Sequence, residues 1–351
     1  MTFIPKPKVS YPGQPRNALG LTKEDYEGSL STLCAGCGHD SITAAIVQAF
    51  FEMAIDPTQV VKMSGIGCSS KTPAYFLSGA HGFNSVHGRM PAVATGALAA
   101  NRDLVCIGVS GDGDSLSIGF GQFAHAVRRN LDMLYLIENN GVYGLTKGQF
   151  SASADPGSKA KRGEVNRQQA IDPVAVAITL GCGFVARGFS GDKAQLVPLI
   201  KAGIAHRGCA VIDVISPCVT FNDHEGSTKS YAHTRSHYRP AIFADFVPPA
   251  SEIVVEQHPG EGRRVTLHDG SSVILRRLDD SFAATDRAGV IAQLAASRAA
   301  GEVLTGLFYL EESLPEMHDT AGTCQKPLAT LDFAALNPGS AALAEIQRNM
   351  R

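Results

Sequence analysis

The sequence predicts an α/β fold built on a doubly wound, mostly parallel sheet, and two observations support that class. Short apolar runs typical of buried strands alternate with longer helical segments between about residues 31 and 222. In addition, distinctive polar residues follow two of the predicted strands directly, at the carboxyl ends where such sheets bind ligands. At 351 residues, the chain is long enough for one large domain or two ordinary ones.

The predicted elements follow one another in the order that right-handed strand–helix–strand units require. Each apolar run of strand length is separated from the next by a segment of helical length or by a glycine-rich turn. Strands are expected at residues 60–64, 103–110, 133–137, 184–186 and 210–215. Helices are expected at residues 40–54, 92–100, 115–129, 173–180 and 193–205.

The two ends of the chain differ in character from this central part. Residues 1–30 are rich in proline and lack periodicity, so we expect an arm that lies on the domain or on a neighbouring subunit. Residues 223–351 form a C-terminal extension that begins with a charged, histidine-containing stretch. The extension contains a predicted hairpin at 264–276, turning at 268–270, and a predicted helix at 286–299. We expect it to wrap the main domain or to dock a partner.

Composition and charge exclude several classes of function. A formal net charge of −2 gives no reason to expect nucleic acid or an anionic membrane surface as a partner. No apolar run reaches bilayer-spanning length, and the N-terminus lacks the apolar segment of a signal peptide. We therefore expect a cytoplasmic protein, in which cysteines serve as metal ligands or core residues more readily than as disulfides.

The most informative motif is Gly111-Asp112-Gly113, which ends one predicted strand and is followed after 25 residues by Asn139-Asn140 at the end of the next. A carboxylate, an amide oxygen and a nearby backbone carbonyl suit Mg²⁺, which prefers oxygen ligands and bridges phosphates. Glycines allow the backbone to approach phosphate groups, and the start of the following helix supplies N–H donors. The motif predicts a magnesium–diphosphate site and resembles the signature of thiamine diphosphate enzymes.

A second motif, Cys34-Ala35-Gly36-Cys37, precedes a predicted helix and has three interpretations. A thioredoxin-like redox pair requires a fold that the rest of the chain does not predict. A structural zinc site or an iron–sulfur cluster requires two more ligands. Cys68 and Cys218 are candidates because each follows an apolar strand and would reach the same edge of the sheet as the diphosphate motif. The other cysteines are expected in the core or have no clear assignment: Cys106, Cys182, Cys209 and Cys324.

With these motifs together, the chain resembles the β subunit of a 2-oxoacid:ferredoxin oxidoreductase, most of all one that acts on 2-oxoglutarate. The resemblance covers about residues 33–222, with a weaker echo at 305–309, and implies that 31–222 binds thiamine diphosphate and one [4Fe–4S] cluster. The cluster ligands that it implies are Cys34, Cys37, Cys68 and Cys218, with Cys209 as the alternative to the last. The Mg²⁺ ligands that it implies are Asp112, Asn140 and the carbonyl of Val142.

The resemblance also implies which residues contact the thiamine cofactor. They lie in the loop after the first strand, in the segment before the second helix, around the Gly-Asp-Gly turn and after the paired asparagines. These residues are Ile66, Gly67, Cys68, Ser69, His87, Arg89, Gly111, Gly113, Asp114, Gly144 and Leu145.

Four residues are expected to contact substrate. Lys147 is the most discriminating, because relatives that act on pyruvate carry an uncharged glycine at this point, whereas a lysine can pair with the second carboxylate of 2-oxoglutarate. Lys71 could serve the same purpose, and Arg89 could bind phosphate or a substrate carboxylate. His39 could bind substrate or diphosphate, or could be a structural histidine.

The implied reaction is the reversible oxidative decarboxylation of 2-oxoglutarate with coenzyme A to succinyl-CoA and CO₂, with electrons passing through the cluster to ferredoxin. Thiamine activation requires a glutamate, and neither Glu52 nor Glu138 is a convincing candidate. The resemblance places that glutamate on an α subunit, so we expect an active αβ or (αβ)₂ enzyme. Alternatives are another 2-oxoacid such as pyruvate, a non-oxidative thiamine-dependent decarboxylase, or a zinc-stabilised binding module.

Overall fold

A nine-stranded sheet forms the centre of the computed structural model, which describes residues 13–158, 163–222, 253–266 and 272–350. Its strands are β1 (Val60–Ser64), β2 (His81–Asn84), β3 (Val105–Gly111), β4 (Met133–Asn139), β7 (Phe184–Phe189), β8 (Cys209–Ile215), β9 (Gly262–Thr266), β10 (Ser272–Arg277) and β11 (Glu302–Leu310). A separate two-stranded ribbon consists of β5 (Val142–Tyr143) and β6 (Gln149–Phe150).

The strand order is β2-β1-β3-β4-β8-β7-β11-β10-β9. Neighbours from β2 to β7 are all parallel, β11 is antiparallel to β7, and β9 is antiparallel to β10. The predicted fold class is therefore confirmed. Strands β1 and β7 are buried along their whole length, as expected when helices cover both faces of a parallel sheet.

The helices are α1 (Gly38–Glu52), α2 (Met90–Ala100), α3 (Phe120–Arg128), α4 (Pro173–Leu180), α5 (Lys193–Ala205), α6 (Arg287–Ala299), α7 (Met317–Ala321), α8 (Phe333–Leu336) and α9 (Gly339–Asn349). One face of the sheet packs against α1 and α5, where Ile42 and Phe50 are fully buried. The other face packs against α2, α3, α4 and α6 through residues such as Phe123 and Ile178. The buried central strands of the sheet therefore separate two apolar layers.

Local signals fix the ends of two helices at their predicted residues. Asp172 precedes α4 and accepts a hydrogen bond from the backbone of Val174 at 2.9 Å, while Pro173 occupies the first helical position. Gly181 ends α4 with φ at +88°, a conformation that glycine adopts without steric cost. Asp192 caps α5 in the same way, through the backbone amide of Gln195 at 3.0 Å.

The helix predicted at 115–129 begins differently. Residues Gly113–Ile118 form a wide π-type turn, and α3 starts only after Gly119. A side chain at Gly119 would place its Cβ 2.9 Å from the Cα of Gly88, so the chain passes directly against a neighbouring loop here. A tertiary contact therefore determines the start of this helix.

The described parts of both ends join the central domain. Tyr26 is fully buried, and a β-bridge pairs Glu27 with Phe76. Strands β9–β11 extend the main sheet, and the predicted hairpin corresponds to β9 and β10. Its turn at 268–270 lies outside the described residues, as do 1–12 and 223–252. The division of the chain at residue 223 stays a prediction.

Within the described ranges, every helix is too short or too polar to span a bilayer.

Candidate functional site

The candidate site lies where β1, β3, β4 and β8 end, which we call the carboxyl edge. The register aligns Gly111 of β3 with Glu138 of β4, and Asn139 of β4 with Ile215 of β8. The loops that follow these strands therefore lie side by side. They contain both motifs that the sequence singled out.

Asp112 is 1% exposed, and hydrogen bonds hold its carboxylate in one orientation. Its Oδ2 accepts hydrogen bonds from the hydroxyls of Ser151 and of Ser153, the latter at 2.7 Å. Its Oδ1 accepts a longer bond of 3.4 Å from the backbone of Asn140. Burial raises the pKa of Asp112, and these hydrogen bonds oppose that effect. No signal in the sequence marks these two serines, since isolated hydroxyls in a polar loop are common.

The backbone after β4 folds tightly around Asn140. The Oδ1 atom of Asn140 accepts a hydrogen bond from the Val142 amide at 3.0 Å, and its Nδ2 lies 3.4 Å from Nε2 of His39. Gly141, at φ +75°, makes the turn. The carboxylate of Asp112, the amide oxygen of Asn140 and the carbonyl of Val142 are oxygen donors from two neighbouring loops, and this donor set fits Mg²⁺.

Several glycines at this edge leave no room for a side chain. A Cβ at Gly113 would lie 2.5 Å from the ring of Tyr143, and one at Gly111 would lie 2.7 Å from the hydroxyl of Ser69. Tyr143 donates its hydroxyl hydrogen to the carbonyl of Gly113 at 3.2 Å. A larger residue at either position would therefore displace a neighbouring side chain of the candidate site, and only glycine fits there.

Asp114 directs its carboxylate inward rather than toward the open edge. It is 3% exposed and accepts hydrogen bonds from the ring of His87, from the backbone of Gly88 at 2.7 Å and from the hydroxyl of Ser110 at 2.6 Å. The carboxylate thus orients His87, whose ring packs edge-on against Tyr143 with centroids 6.0 Å apart. A contact between Asp114 and a diphosphate would have to come from its backbone.

Cys68 and Cys218 lie against the loop that follows the paired asparagines. A Cβ built on Gly144 would lie 3.3 Å from the sulfur of Cys68 and 3.8 Å from that of Cys218. Burial, followed by the neighbouring Cys218 and Cys34, raises the pKa of Cys68 to about 11. Burial raises the pKa of Cys37 as well, and Cys218 contributes to that shift. The structure therefore brings together the four cysteines that the sequence selected.

The spacing of these cysteines bears on the kind of metal they could hold. Among the described residues, no three His, Cys, Asp or Glu side chains are grouped tightly enough for a single metal ion. Zinc holds each thiolate at about 2.3 Å, so its ligands must be close together. A cluster of several metal atoms tolerates wider spacing, and four cysteines are its usual ligand set.

Cys209 lies at the opposite end of β8 from Cys218, inside the core. The thiol of Cys182 contacts its carbonyl at 3.0 Å, and both residues are fully buried. Cys106 is buried within β3, and Cys324 is exposed. None of the eight cysteines, all of which lie in the described ranges, forms a disulfide.

His39 and Glu138 form a buried pair beneath the edge. Nδ1 of His39 lies 2.6 Å from the hydroxyl of Ser216 and 3.5 Å from Glu138. Burial lowers the pKa of His39 to about 4 and raises the pKa of Glu138 well above its usual value. A hydrogen bond from the side chain of Thr72 opposes the rise in the pKa of Glu138 but is weaker than the effect of burial. The sequence offered Glu138 only as a strand-terminal residue, and its environment was not predictable from the local pattern.

The three predicted cationic residues are exposed near the same edge. Lys147 has φ at +78°, which is uncommon for a residue other than glycine, and its amide bonds to the carbonyl of Gly144 at 3.2 Å. The ammonium group of Lys71 lies 3.3 Å from Thr32, and Arg89 precedes α2. The predicted cofactor contacts Ile66 and Leu145 are 38% and 50% exposed.

Together, the close-packed glycines and the two loops with oxygen donors have the chemistry expected of a thiamine diphosphate-binding domain. A family model agrees, since the family described as thiamine pyrophosphate enzyme, C-terminal TPP binding domain, matches residues 63–214. Curated relatives show which family of thiamine diphosphate-binding proteins the chain belongs to. A 2-oxoacid:ferredoxin oxidoreductase subunit beta from Saccharolobus solfataricus is 42% identical over 225 residues, covering 64% of this chain and 71% of the relative. The chain therefore belongs to the family of 2-oxoacid:ferredoxin oxidoreductase β subunits, as the sequence motifs predicted.

Other relatives and one solved structure resemble the chain to a similar extent. The subunit beta from a Sulfolobus species is 48% identical over 191 residues, 54% of this chain and 63% of the relative. The 2-oxoglutarate oxidoreductase subunit KorB of Mycobacterium tuberculosis is 37% identical over 218 residues, 60% of this chain and 58% of the relative. The chain thus spans about three fifths of these two proteins.

The solved structure is a 2-oxoglutarate:ferredoxin oxidoreductase from Magnetococcus marinus with 2-oxoglutarate, coenzyme A and succinyl-CoA bound. It is 29% identical, has a TM-score of 0.67, and the match covers 86% of this chain and 89% of that one.

Proposed function

We propose that this chain is the thiamine-binding half of a 2-oxoglutarate:ferredoxin oxidoreductase. The reaction converts 2-oxoglutarate and coenzyme A reversibly into succinyl-CoA and CO₂, and two electrons leave one at a time to ferredoxin. One observation carries the proposal: four neighbouring cysteines share the carboxyl edge with Asp112 and Asn140. The names of the KorB relatives and the ligands of the Magnetococcus marinus structure support 2-oxoglutarate as the substrate.

The oxygen donors of Asp112, Asn140 and Val142 would hold Mg²⁺, and the backbone around Gly113 would face the diphosphate. When bound, thiamine diphosphate supplies a nucleophilic carbon and an electron sink for loss of CO₂. The chain itself provides a fixed carboxylate and a close-packed backbone. Because Oδ2 of Asp112 is held by two hydroxyls, its other oxygen can face the cation.

Cys34, Cys37, Cys68 and Cys218 would hold a [4Fe–4S] cluster, which takes up single electrons. Burial raises the pKa of Cys37 and that of Cys68, so it further favours the neutral thiols in the metal-free protein. Binding of the cluster would therefore release protons, since the thiolate is the ligand.

Lys147, Lys71 and Arg89 would supply positive charge for the two carboxylates of 2-oxoglutarate. Lys147 contributes most to substrate choice in this proposal, because the second carboxylate is absent from pyruvate. Its left-handed backbone is a conformation that a neutral glycine or asparagine adopts more easily. His39, with its pKa near 4, would act at neutral pH as an uncharged hydrogen-bonding group.

An α subunit would complete the active site by providing the glutamate that activates thiamine. The two glutamates considered from the sequence are poorly placed for that role. Glu52 is bound to Lys201 at 3.0 Å on the surface of α1, and Glu138 is sealed in the interior. The partners in this proposal are therefore the α subunit and ferredoxin.

The experiment that tests this function compares the chain purified anaerobically alone and together with its α subunit. We expect brown protein with iron, sulfide and thiamine diphosphate, and ferredoxin reduction that requires the α subunit, coenzyme A and 2-oxoglutarate. Turnover of pyruvate should be slower. A colourless, zinc-containing protein without thiamine would instead support a zinc-stabilised binding module. Faster turnover of pyruvate would keep the enzyme class and replace the substrate.

A further inference from the structure

A continuous line of hydrogen bonds connects a buried arginine on β7 with Asp112. The Nε atom of Arg187 donates to Oδ2 of Asp213 at 2.7 Å, and a second guanidinium nitrogen bonds to Asp172, the residue that caps α4. Oδ1 of Asp213 accepts a bond of 3.0 Å from Nδ2 of Asn139. Arg187 is 7% exposed and Asp213 is 1% exposed, so this ion pair has a fixed geometry in the interior.

The direction of each bond follows from the chemistry of its groups. An ionised carboxylate only accepts hydrogen bonds, so Asp213 forces Asn139 to turn its amide nitrogen inward and its amide oxygen outward. That oxygen lies 2.9 Å from the hydroxyl of Ser153 and accepts the backbone amide of Gly141 at 3.3 Å. The same hydroxyl lies 2.7 Å from Oδ2 of Asp112, so the two acceptor oxygens compete for its single hydrogen.

Asn139 thus contacts two groups, Ser153 and Gly141, each of which holds one of the proposed metal-binding oxygens in place. Through Ser153 it reaches the carboxylate of Asp112, and through Gly141 it holds the turn that presents the carbonyl of Val142. We propose that Asn139, oriented by Asp213 and Arg187, is a positioning residue that sets the affinity of the carboxyl edge for Mg²⁺. This inference rests on the magnesium site of the proposed function.

The decisive substitution reverses the polarity of one bond. In Asp213→Asn, the new amide can still accept from Arg187 but turns its own nitrogen toward Nδ2 of Asn139. The two donors then face each other, and Asn139 must rotate away from Ser153 and Gly141. Losing a group that orients a metal ligand typically weakens metal binding 10- to 100-fold, and we expect at least about a tenfold rise in the Kd for Mg²⁺.

A paired substitution should reverse this loss. In the double variant Asn139→Asp/Asp213→Asn, the amide at 213 donates to the carboxylate at 139, which still accepts from Ser153 and Gly141. The net charge is unchanged, so we expect a Kd within about threefold of wild type. Restoration by the swap separates a specific hydrogen bond from general damage to the core.

A second single substitution keeps the test valid if Asp213→Asn does not fold. Ser153→Ala removes only the hydroxyl between Asn139 and Asp112, and we expect Mg²⁺ affinity to fall about tenfold. The matched control is Ser297→Ala on α6, which removes a buried hydroxyl that donates to the carbonyl of Glu302 at 3.2 Å. That control should bind Mg²⁺ as wild type does.

The measurement uses the full chain in complex with its α subunit, stripped of metal by chelation. Mg²⁺ is titrated at a fixed thiamine diphosphate concentration, cofactor binding is followed by circular dichroism, and melting of the metal-free protein is recorded for every variant. Wild-type affinity in a folded Asp213→Asn or Ser153→Ala protein would overturn the inference. So would a double variant that folds but stays as weak as Asp213→Asn. Wild-type protein that binds thiamine diphosphate without Mg²⁺ dependence would instead refute the proposed magnesium site.

Discussion

The faces and the carboxyl edge of the same sheet are built on opposite principles. The faces are two continuous apolar layers in which Ile212 and Phe123 are fully buried, and their side chains make no directional bonds. The edge buries polar groups instead, and Asp112 and Asp114 each have specific hydrogen-bond partners. We therefore expect the faces to determine stability and the edge to determine what the protein can bind. Substitutions in the two regions should separate these two effects.

The largest difference is expected between Asp112→Ala at the edge and Ile212→Ala on a face. Without the carboxylate, Mg²⁺-dependent binding of thiamine diphosphate should be lost, and turnover should fall by at least about 10³-fold. Ile212→Ala should lower the free energy of unfolding by about 2–5 kcal/mol through the cavity it leaves, while the folded enzyme keeps its turnover. Calorimetry and steady-state kinetics on both variants check this. A large loss of stability in the metal-free Asp112→Ala protein would contradict the expected separation of binding from stability.

Cysteines provide the next comparison, because the same residue type occurs in both regions. Cys68→Ser should lose iron, sulfide and the brown absorbance, since serine replaces a thiolate at the edge. The matched control Cys209→Ser lies in the core and should keep its iron content while losing about 1–3 kcal/mol of stability, because it buries a hydroxyl. Iron analysis and absorbance spectra provide the measurement. Loss of iron in Cys209→Ser and not in Cys68→Ser would place the cluster elsewhere.

A smaller and more selective effect is expected at Lys147. Lys147→Asn removes the charge and keeps a residue that tolerates the left-handed backbone. We expect the KM for 2-oxoglutarate to rise about tenfold, because one charge-assisted pair is lost, while turnover of pyruvate stays unchanged. Lys23→Asn, at an exposed site in the N-terminal segment, is the control. An equal change for both substrates would remove Lys147 from substrate selection.

The smallest expected effect is a change with pH in the free energy of unfolding, caused by one buried lysine in the interior of the sheet. Lys62 of β1 is buried and donates to the carbonyls of Phe76, at 2.5 Å, and Leu77, at 2.9 Å. Burial lowers its pKa to about 8, below the value of 10.5 in the unfolded chain. Between these values the unfolded state binds more protons, so the free energy of unfolding should rise with pH, by roughly 1–2 kcal/mol after allowing for solvent screening.

Chemical denaturation of the metal-free protein at pH 7.5, 9 and 10.5 measures this rise, and Lys62→Met provides the baseline without the titrating group. A wild-type curve parallel to that of Lys62→Met would contradict the assigned direction of the pKa shift.

The sequence predicted elements whose signals are local, and the examples show why. Helix α4 begins and ends where predicted because Asp172, Pro173 and Gly181 are adjacent to it in the chain. The predicted start of α3, at residue 115, was wrong. The actual start depends on a contact between Gly119 and a loop about 30 residues earlier in the chain. The place of β11 beside β7 could not be predicted, since nothing in either strand encodes the partner.

In the candidate site, too, residues with local sequence signals could be predicted, and residues that depend on tertiary contacts could not. Asp112, Asn140, Cys68 and Cys218 were selected because each follows a predicted strand and parallel strands bring their carboxyl ends to one edge. Cys34 and Cys37 were selected by their C-x-x-C motif, and the family resemblance implied the set of four. Ser151 and Ser153 were missed, since their role depends on how the loop after β6 folds back over Asp112. The buried setting of Glu138 also required knowledge of what packs around it.

The position of β11 has a consequence for how the chain behaves in solution. If the chain ended near residue 222, Phe184–Phe189 would be the outermost strand, with a row of unpaired backbone amides and carbonyls beside apolar side chains. Such an edge is a template for pairing with another molecule, and proteins normally cover or charge it. The antiparallel strand Glu302–Leu310 covers it from within the same chain. On this side the outermost strand of the described sheet is then Gly262–Thr266, where Arg263 and Arg264 are exposed, so we expect the C-terminal residues to limit self-association.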